Sequence, residues 1–119
     1  QIEKMGQWVK CKSHDTFGTV GPYLVTKDEI NDVNNLNMEL DLNGERMQTG
    51  NTKTMIFNVD HIVSYVSRYM SLQPGDIITT GTPPGVGMGM KPQKFLKAGD
   101  EMRLSIELLG EQKSKVVAI

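Results

Sequence analysis

Leu36, Met38, Leu40 and Leu42 alternate with Asn37, Glu39 and Asp41, and Asn43-Gly44 follows at once. Alternation of period two makes a strand with one buried and one wet face. Asn and Gly both accept the positive φ of a type I′ turn, so the chain must double back over 45–49 as a hairpin. Met102, Leu104, Ile106 and Leu108 repeat the alternation against Arg103, Ser105 and Glu107, between turns at Ala98-Gly99-Asp100 and Gly110-Glu111. Residues 113–118 alternate weakly and read as a final edge strand. Residues 23–26, β-branched and aromatic, read as another.

One segment breaks the period. Val59, Ile62, Val63, Val66, Tyr69 and Met70 share one face at helical spacing, with Asn58 ahead as a cap and Pro74-Gly75 behind. The spacing predicts a helix over 60–70. Residues 27–30 read as a helical turn, and 1–12 as loop with a short extended piece. One short amphipathic helix against about six or seven strands is an α+β, β-rich architecture.

Residues 77–80 read as a short buried strand running into Gly81-Thr82-Pro83-Pro84-Gly85-Val86-Gly87-Met88-Gly89. The glycines let the backbone lie close against something, and the two prolines fix φ and remove donors. Such a loop serves a ligand, or else a neighbouring backbone at a tight crossover; composition leaves both open. A nucleotide is not its ligand. A Walker loop needs Gly-Lys-Ser/Thr opening a helix, whereas Met90, Lys91 and Pro92 follow the last glycine here. A dinucleotide fingerprint also needs a helix after the glycines, and 91–100 has little helical period.

The 119 residues are one domain's worth of chain or less, 38% apolar, with 13 basic and 14 acidic side chains mixed along them and a net charge of −1. No basic stripe is present to hold a phosphate backbone, so nucleic acid is not an expected partner. The apolar runs are only a few residues long, too short for a membrane span. Cys11 is the single cysteine, so no intrachain disulfide is expected and a reducing compartment, the cytoplasm, fits best. The chain opens on Gln1 in what reads as mid-domain sequence, so an upstream part is expected.

Chemistry concentrates at Lys12-Ser13-His14-Asp15-Thr16. A lysine beside a carbonyl or a metal-bound oxygen stabilises developing enolate charge. A hydroxyl or its carbonyl completes a hard cation's oxygen shell. Placed before Gly-x-x-Gly-Pro, the same residues also read as a solvated turn, with Asp15 or Thr16 bonding its own backbone. His14 and His61 lie too far apart in sequence to read as a metal pair, and the eight methionines read as core filling.

Four motifs occur in order: Gly6-Gln7-Trp8; Lys12-Ser13-x-Asp15-Thr16-Phe17-Gly18-x-x-Gly21-Pro22; Gly50-Asn51-Thr52-x-x-Met55-Ile56-Phe57; and Pro74-Gly75-Asp76-x-Ile78-x-Thr80-Gly81-Thr82-Pro83-x-Gly85-Val86-Gly87. Together they resemble the fumarylacetoacetate hydrolase family over nearly the whole chain. The bacterial branch labelled ureidoglycolate lyase or 2-hydroxyhepta-2,4-diene-1,7-dioate isomerase is most similar. The resemblance implies a mixed β-roll, usually a homodimer, that holds Mg2+ or Mn2+. It further implies a hydrolase or lyase that cleaves a C–C bond of a small 2-oxo or β-diketo acid, or a related isomerase step. On the matching positions, Lys12 is the catalytic lysine beside metal and substrate, Thr16 completes the metal environment, and Gln1 and Thr82 contact the substrate, Thr82 at its carboxylate. Residues 1–119 would then be the C-terminal portion of one catalytic domain, with a metal-binding Glu-x-Glu pair and an Asp lying upstream. Leu108 stands where a glycine is common. Because those carboxylates are not in this sequence, a β-rich module that binds or dimerises without catalysis is the alternative.

Overall fold

A computed structural model describes residues 6–118. The predicted hairpin forms as β1 (Asn37–Leu42) and β2 (Glu45–Asn51), with Asn43 at φ 52° and Gly44 at φ 80° in the turn. The second alternation forms β3 (Glu101–Ile106), and β4 (Gly110–Lys115) returns beside it. The four make one antiparallel sheet in the order β2-β1-β3-β4. Asn43 also ties the hairpins together: its Nδ2 donates to Asp100 Oδ1 at 2.9 Å, and its Oδ1 accepts from the Glu101 N–H at 2.9 Å.

Register decides which side chains share a face. Gln48, Leu40, Leu104 and Gln112 stand opposite one another as one row across the sheet, and Gly50, Met38, Ile106 and Gly110 form the next. Opposed residues point to the same side, so these rows, with Leu42, make one apolar face. Leu42 is buried, and Met38, Leu40, Leu104 and Ile106 are half-buried. The opposite face carries charge. Arg46 pairs with Glu39 at 2.7 Å and with Asp41, Arg103 pairs with Asp41 at 3.2 Å and with Glu111, and Lys113 reaches Glu111 at 3.3 Å. Arg46 foremost, then Arg103, holds the Asp41 carboxyl below the usual carboxylate range. Exposed pairs contribute about 0–1 kcal/mol each, whereas burying one Leu or Ile contributes about 1.5–3 kcal/mol. The apolar face therefore dominates.

Helix α2 (Val59–Val66) starts at the predicted cap, Asn58 Oδ1 accepting from the His61 N–H at 2.8 Å. It stops short of Met70; the Tyr69 and Met70 N–H groups both return to the Val66 carbonyl as a closing turn. Thr52 and Asn34 hold it to the sheet. Thr52 Oγ1 accepts from the Leu36 N–H at 2.8 Å and donates to the Val33 carbonyl at 2.9 Å, while Asn34 Oδ1 accepts from the Val59 N–H at 3.2 Å. His61 stacks between Phe57 and Tyr65 rather than facing a metal.

Several expectations are corrected. Residues expected as loop and extended chain include a helix, α1 (Trp8–Lys12). Segments 23–26 and 77–80 join no ladder among the described residues, which hold four strands rather than six or seven. Strand propensity needs a partner edge to act on; Tyr23 instead lies across Gly110, and Ile77 is exposed. Gly110 opens β4, and the turn before it contains Leu108 at φ 64°.

Much apolar surface stays open. Of the described apolar residues only Ile30, Leu36 and Leu42 are buried, while Trp8, Phe17, Phe57, Tyr69 and Phe95 are each more than half exposed. The accessible area is 9876 Å², against about 6400 Å² for a compact monomer of this mass. The radius of gyration is 15.8 Å, against about 13.5 Å for a compact domain of this length. Apolar surface of this extent is the kind that other protein covers.

A left-handed leucine costs about 1–2 kcal/mol, and Leu108 is 59% exposed, so little burial offsets it. Leu108→Asn, which tolerates this conformation, is expected to stabilise by up to about 1 kcal/mol. A thermal melt checks this; an unchanged or lower midpoint contradicts it.

Candidate active site

The glycine loop is built against β2. Pairing steps from Leu40↔Gln48 to Asp41↔Arg46, leaving Met47 as a bulge. A bulge frees one residue from the ladder, and Gly85, at φ 111°, fits against it: a Cβ there would lie 2.1 Å from the Met47 carbonyl oxygen. Pro83 packs over Gly50, where an added Cβ would approach the ring to 2.7 Å. Gln48 is buried, 9% exposed, and its Nε2 donates to Thr82 Oγ1 at 2.8 Å and to the Pro83 carbonyl at 2.6 Å. The glycines thus serve a neighbouring backbone, and the result is an exposed Thr82 held from behind.

Lys12 ends α1 and is exposed. The turn after it closes through the Ser13 N–H to the Val9 carbonyl at 2.9 Å and the Phe17 N–H to the His14 carbonyl at 3.1 Å. Thr16 sits in this exposed turn at φ 67°. For a β-branched residue that is an outlier, costing on the order of 1–3 kcal/mol. Further along, the Gly21 carbonyl accepts from Gln112 Nε2, and the Tyr23 hydroxyl lies over Gly110.

Gln48 and Gln112 belong to one cross-strand row. The Gly21 carbonyl, nine residues after Lys12, and the loop carrying Thr82 are therefore anchored to one face of the sheet. Their anchor points are three strand spacings apart, about 14 Å. Among the described residues no hydrogen bond joins Lys12 or Thr16 to Thr82. Gln1 lies outside the described residues. A surface hollow of about 500 Å³ at the other end of the sheet, beside Asn43, Glu101 and Lys115, includes none of these residues.

Among the described residues, no three His, Cys, Asp or Glu side chains lie close enough to hold a metal ion. A lysine ammonium donates and has no lone pair, and Thr16 offers neutral oxygens. Mg2+ and Mn2+ favour about six oxygens, carboxylates among them. Lys12 and Thr16 alone do not fit such an ion.

The fumarylacetoacetate (FAA) hydrolase C-terminal family model matches residues 1–117. The chain is 61% identical over 117 residues to the 2,4-didehydro-3-deoxy-L-rhamnonate hydrolase of Sphingomonas sp. (strain SKA58), an alignment covering 98% of this chain and 41% of that protein. The fold superposes with a TM-score of 0.80 on maleylpyruvate hydrolase from Sphingobium sp. SYK-6 in complex with manganese(II) ion and pyruvate, at 39% identity over 87% of this chain and 37% of that one. For 2-hydroxyhepta-2,4-diene-1,7-dioate isomerase from Mycobacterium marinum the TM-score is 0.83, at 37% identity over 97% of this chain and 42% of that one. A four-stranded antiparallel sheet with short helices and a glycine loop packed on β2 defines an α+β domain of this fold. The chain belongs to the fumarylacetoacetate hydrolase family. It spans about two fifths of the length of the curated relatives it matches.

Gln48 is the residue that sequence reasoning missed. Alternation counted from Met47 turns Gln48 outward; the bulge reverses this. Gly85→Ala is expected to destabilise the protein by about 2 kcal/mol or more, because the clash is with backbone, whereas Gly18→Ala, with nothing within 4 Å of the new Cβ, should change stability little. Denaturant titration checks the pair, and equal effects would contradict the packing described.

Proposed function

We propose that the chain is the C-terminal portion, 1–119, of a catalytic domain that cleaves a C–C bond in a small 2-oxo or β-diketo acid, or performs a related lyase or isomerase step. The observation that carries this reading is the exposed Thr82 hydroxyl, braced from behind by Gln48 on the sheet face to which Gln112 also ties Gly21. Thr82 donates to the substrate carboxylate, and Gln1 makes a second contact. Lys12 places a positive charge beside the oxygen that becomes enolate-like as the bond breaks. Thr16 completes the metal environment in this reading, and its strained conformation supports the assignment, since strain of this kind gathers at functional positions. The reading includes Mg2+ or Mn2+, held chiefly by carboxylates upstream of residues 1–119, in a cytoplasmic homodimer. The maleylpyruvate hydrolase complex with manganese and pyruvate supports the class of ion and of ligand, and the rhamnonate hydrolase relative supports hydrolysis of a sugar-derived 2-oxo acid.

A second reading has one observation in its favour. The described residues contain no acidic metal cluster, so the 119-residue chain by itself would act as a binding or dimerisation module.

Turnover of 2,4-didehydro-3-deoxy-L-rhamnonate and of acylpyruvates by the full-length protein tests the catalytic reading. Lys12→Ala is expected to lower kcat about 10²–10³-fold, as loss of a charge-stabilising group does, with a smaller change in KM. Wild-type turnover by Lys12→Ala would contradict it, and no turnover of any such acid by the wild type would favour the binding module.

A further inference from the structure

We infer that Gln48 is a positioning residue for this site: its amide fixes the Thr82 hydroxyl as a hydrogen-bond donor aimed at the ligand's carboxylate. The inference rests on the reading of Thr82 given above. The chemistry of the partners identifies the amide atoms. A proline carbonyl oxygen only accepts, so the Gln48 atom 2.6 Å from Pro83 O is the NH2 group. That nitrogen's second proton meets Thr82 Oγ1 at 2.8 Å. Rotating the amide by half a turn would set carbonyl against carbonyl, so the orientation is locked. A hydroxyl that accepts from an N–H keeps its own proton for a different partner. Gln48 is buried behind and Thr82 is exposed in front, so that partner is outside the sheet.

The site so built offers a donor and selects an acceptor, a carboxylate or keto oxygen, over an ammonium group. Gln48 itself touches no ligand and acts only through Thr82. Its neutrality matters as much as its reach. A glutamate at this place would draw the Thr82 proton backward and set a negative charge behind the anion site.

The test is pyruvate binding by the full-length protein, measured calorimetrically at about pH 5.5 and about pH 8, either side of the range where a buried glutamate titrates. The variants are Thr82→Val, Gln48→Met and Gln48→Glu, each with a thermal melt. Thr82→Val and Gln48→Met should each weaken pyruvate about three- to tenfold, the worth of one neutral hydrogen bond. The double variant should lose little more than either alone. Gln48→Glu should bind much more weakly at the higher pH, where the carboxylate draws the Thr82 proton backward and repels the anion, and recover in part at the lower one, where its single proton goes to the Pro83 carbonyl and the charge is lost. A purely structural Gln48 would lower the melting midpoint, give additive losses and show no pH dependence, which overturns the inference. Thr82→Val with unchanged affinity overturns the reading of Thr82 itself. A weakened Thr82→Val beside unaffected Gln48 variants overturns only the role of Gln48. Should Gln48→Met fail to fold, Gln48→Glu, nearly isosteric with the native side chain, decides through its pH dependence alone.

Discussion

The cross-strand row Gln48–Leu40–Leu104–Gln112 is the constraint on which the other features depend. Its two central leucines give the sheet an apolar face to bury. Its two outer glutamines reach beyond the leucines and hold loop carbonyls, Pro83 on one side and Gly21 on the other. Amides withdrawn from water, fully as at Gln48 or half as at Gln112, are costly when unpaired and stabilising when paired, so each glutamine fixes the path of the loop above it. The neighbouring row ends in Gly50 and Gly110, where the absence of a side chain admits Pro83 and Tyr23. Two rows thus decide where two loops lie.

The opposite face shows the contrast. Its arginines and carboxylates pair well, yet exposed pairs in water add little. They keep that face wet and in register. Stability comes from the apolar side, and that side is incomplete: the large aromatic residues of α1, α2 and the connecting segments stay open. Uncovered apolar area of this extent commonly marks a surface where proteins meet.

Local rules made the sheet legible. Period two and Asn43-Gly44 are properties of adjacent residues, and both hairpin strands and the helix cap at Asn58 form where those properties put them. What could not be read depends on partners far away in sequence. Residues 77–80 have a strand's composition and join no ladder among the described residues. Gln48 points inward only because Met47 bulges, and Met47 bulges where Gly85, nearly forty residues later, packs on its carbonyl. The family resemblance named Lys12, Thr16 and Thr82 as site residues without supplying a reason for their surroundings. The structure adds physical causes: a strained turn at Thr16 and an amide brace behind Thr82.

The proposed function depends on a single site shared by the Lys12 turn and the Thr82 loop. Hydrogen exchange of the full-length protein with and without pyruvate measures this directly. Slowed exchange is expected in both the Lys12–Phe17 turn and the Gly81–Gly85 loop over the same range of pyruvate concentration. Protection confined to one of them, or appearing at widely different concentrations, would contradict a shared site.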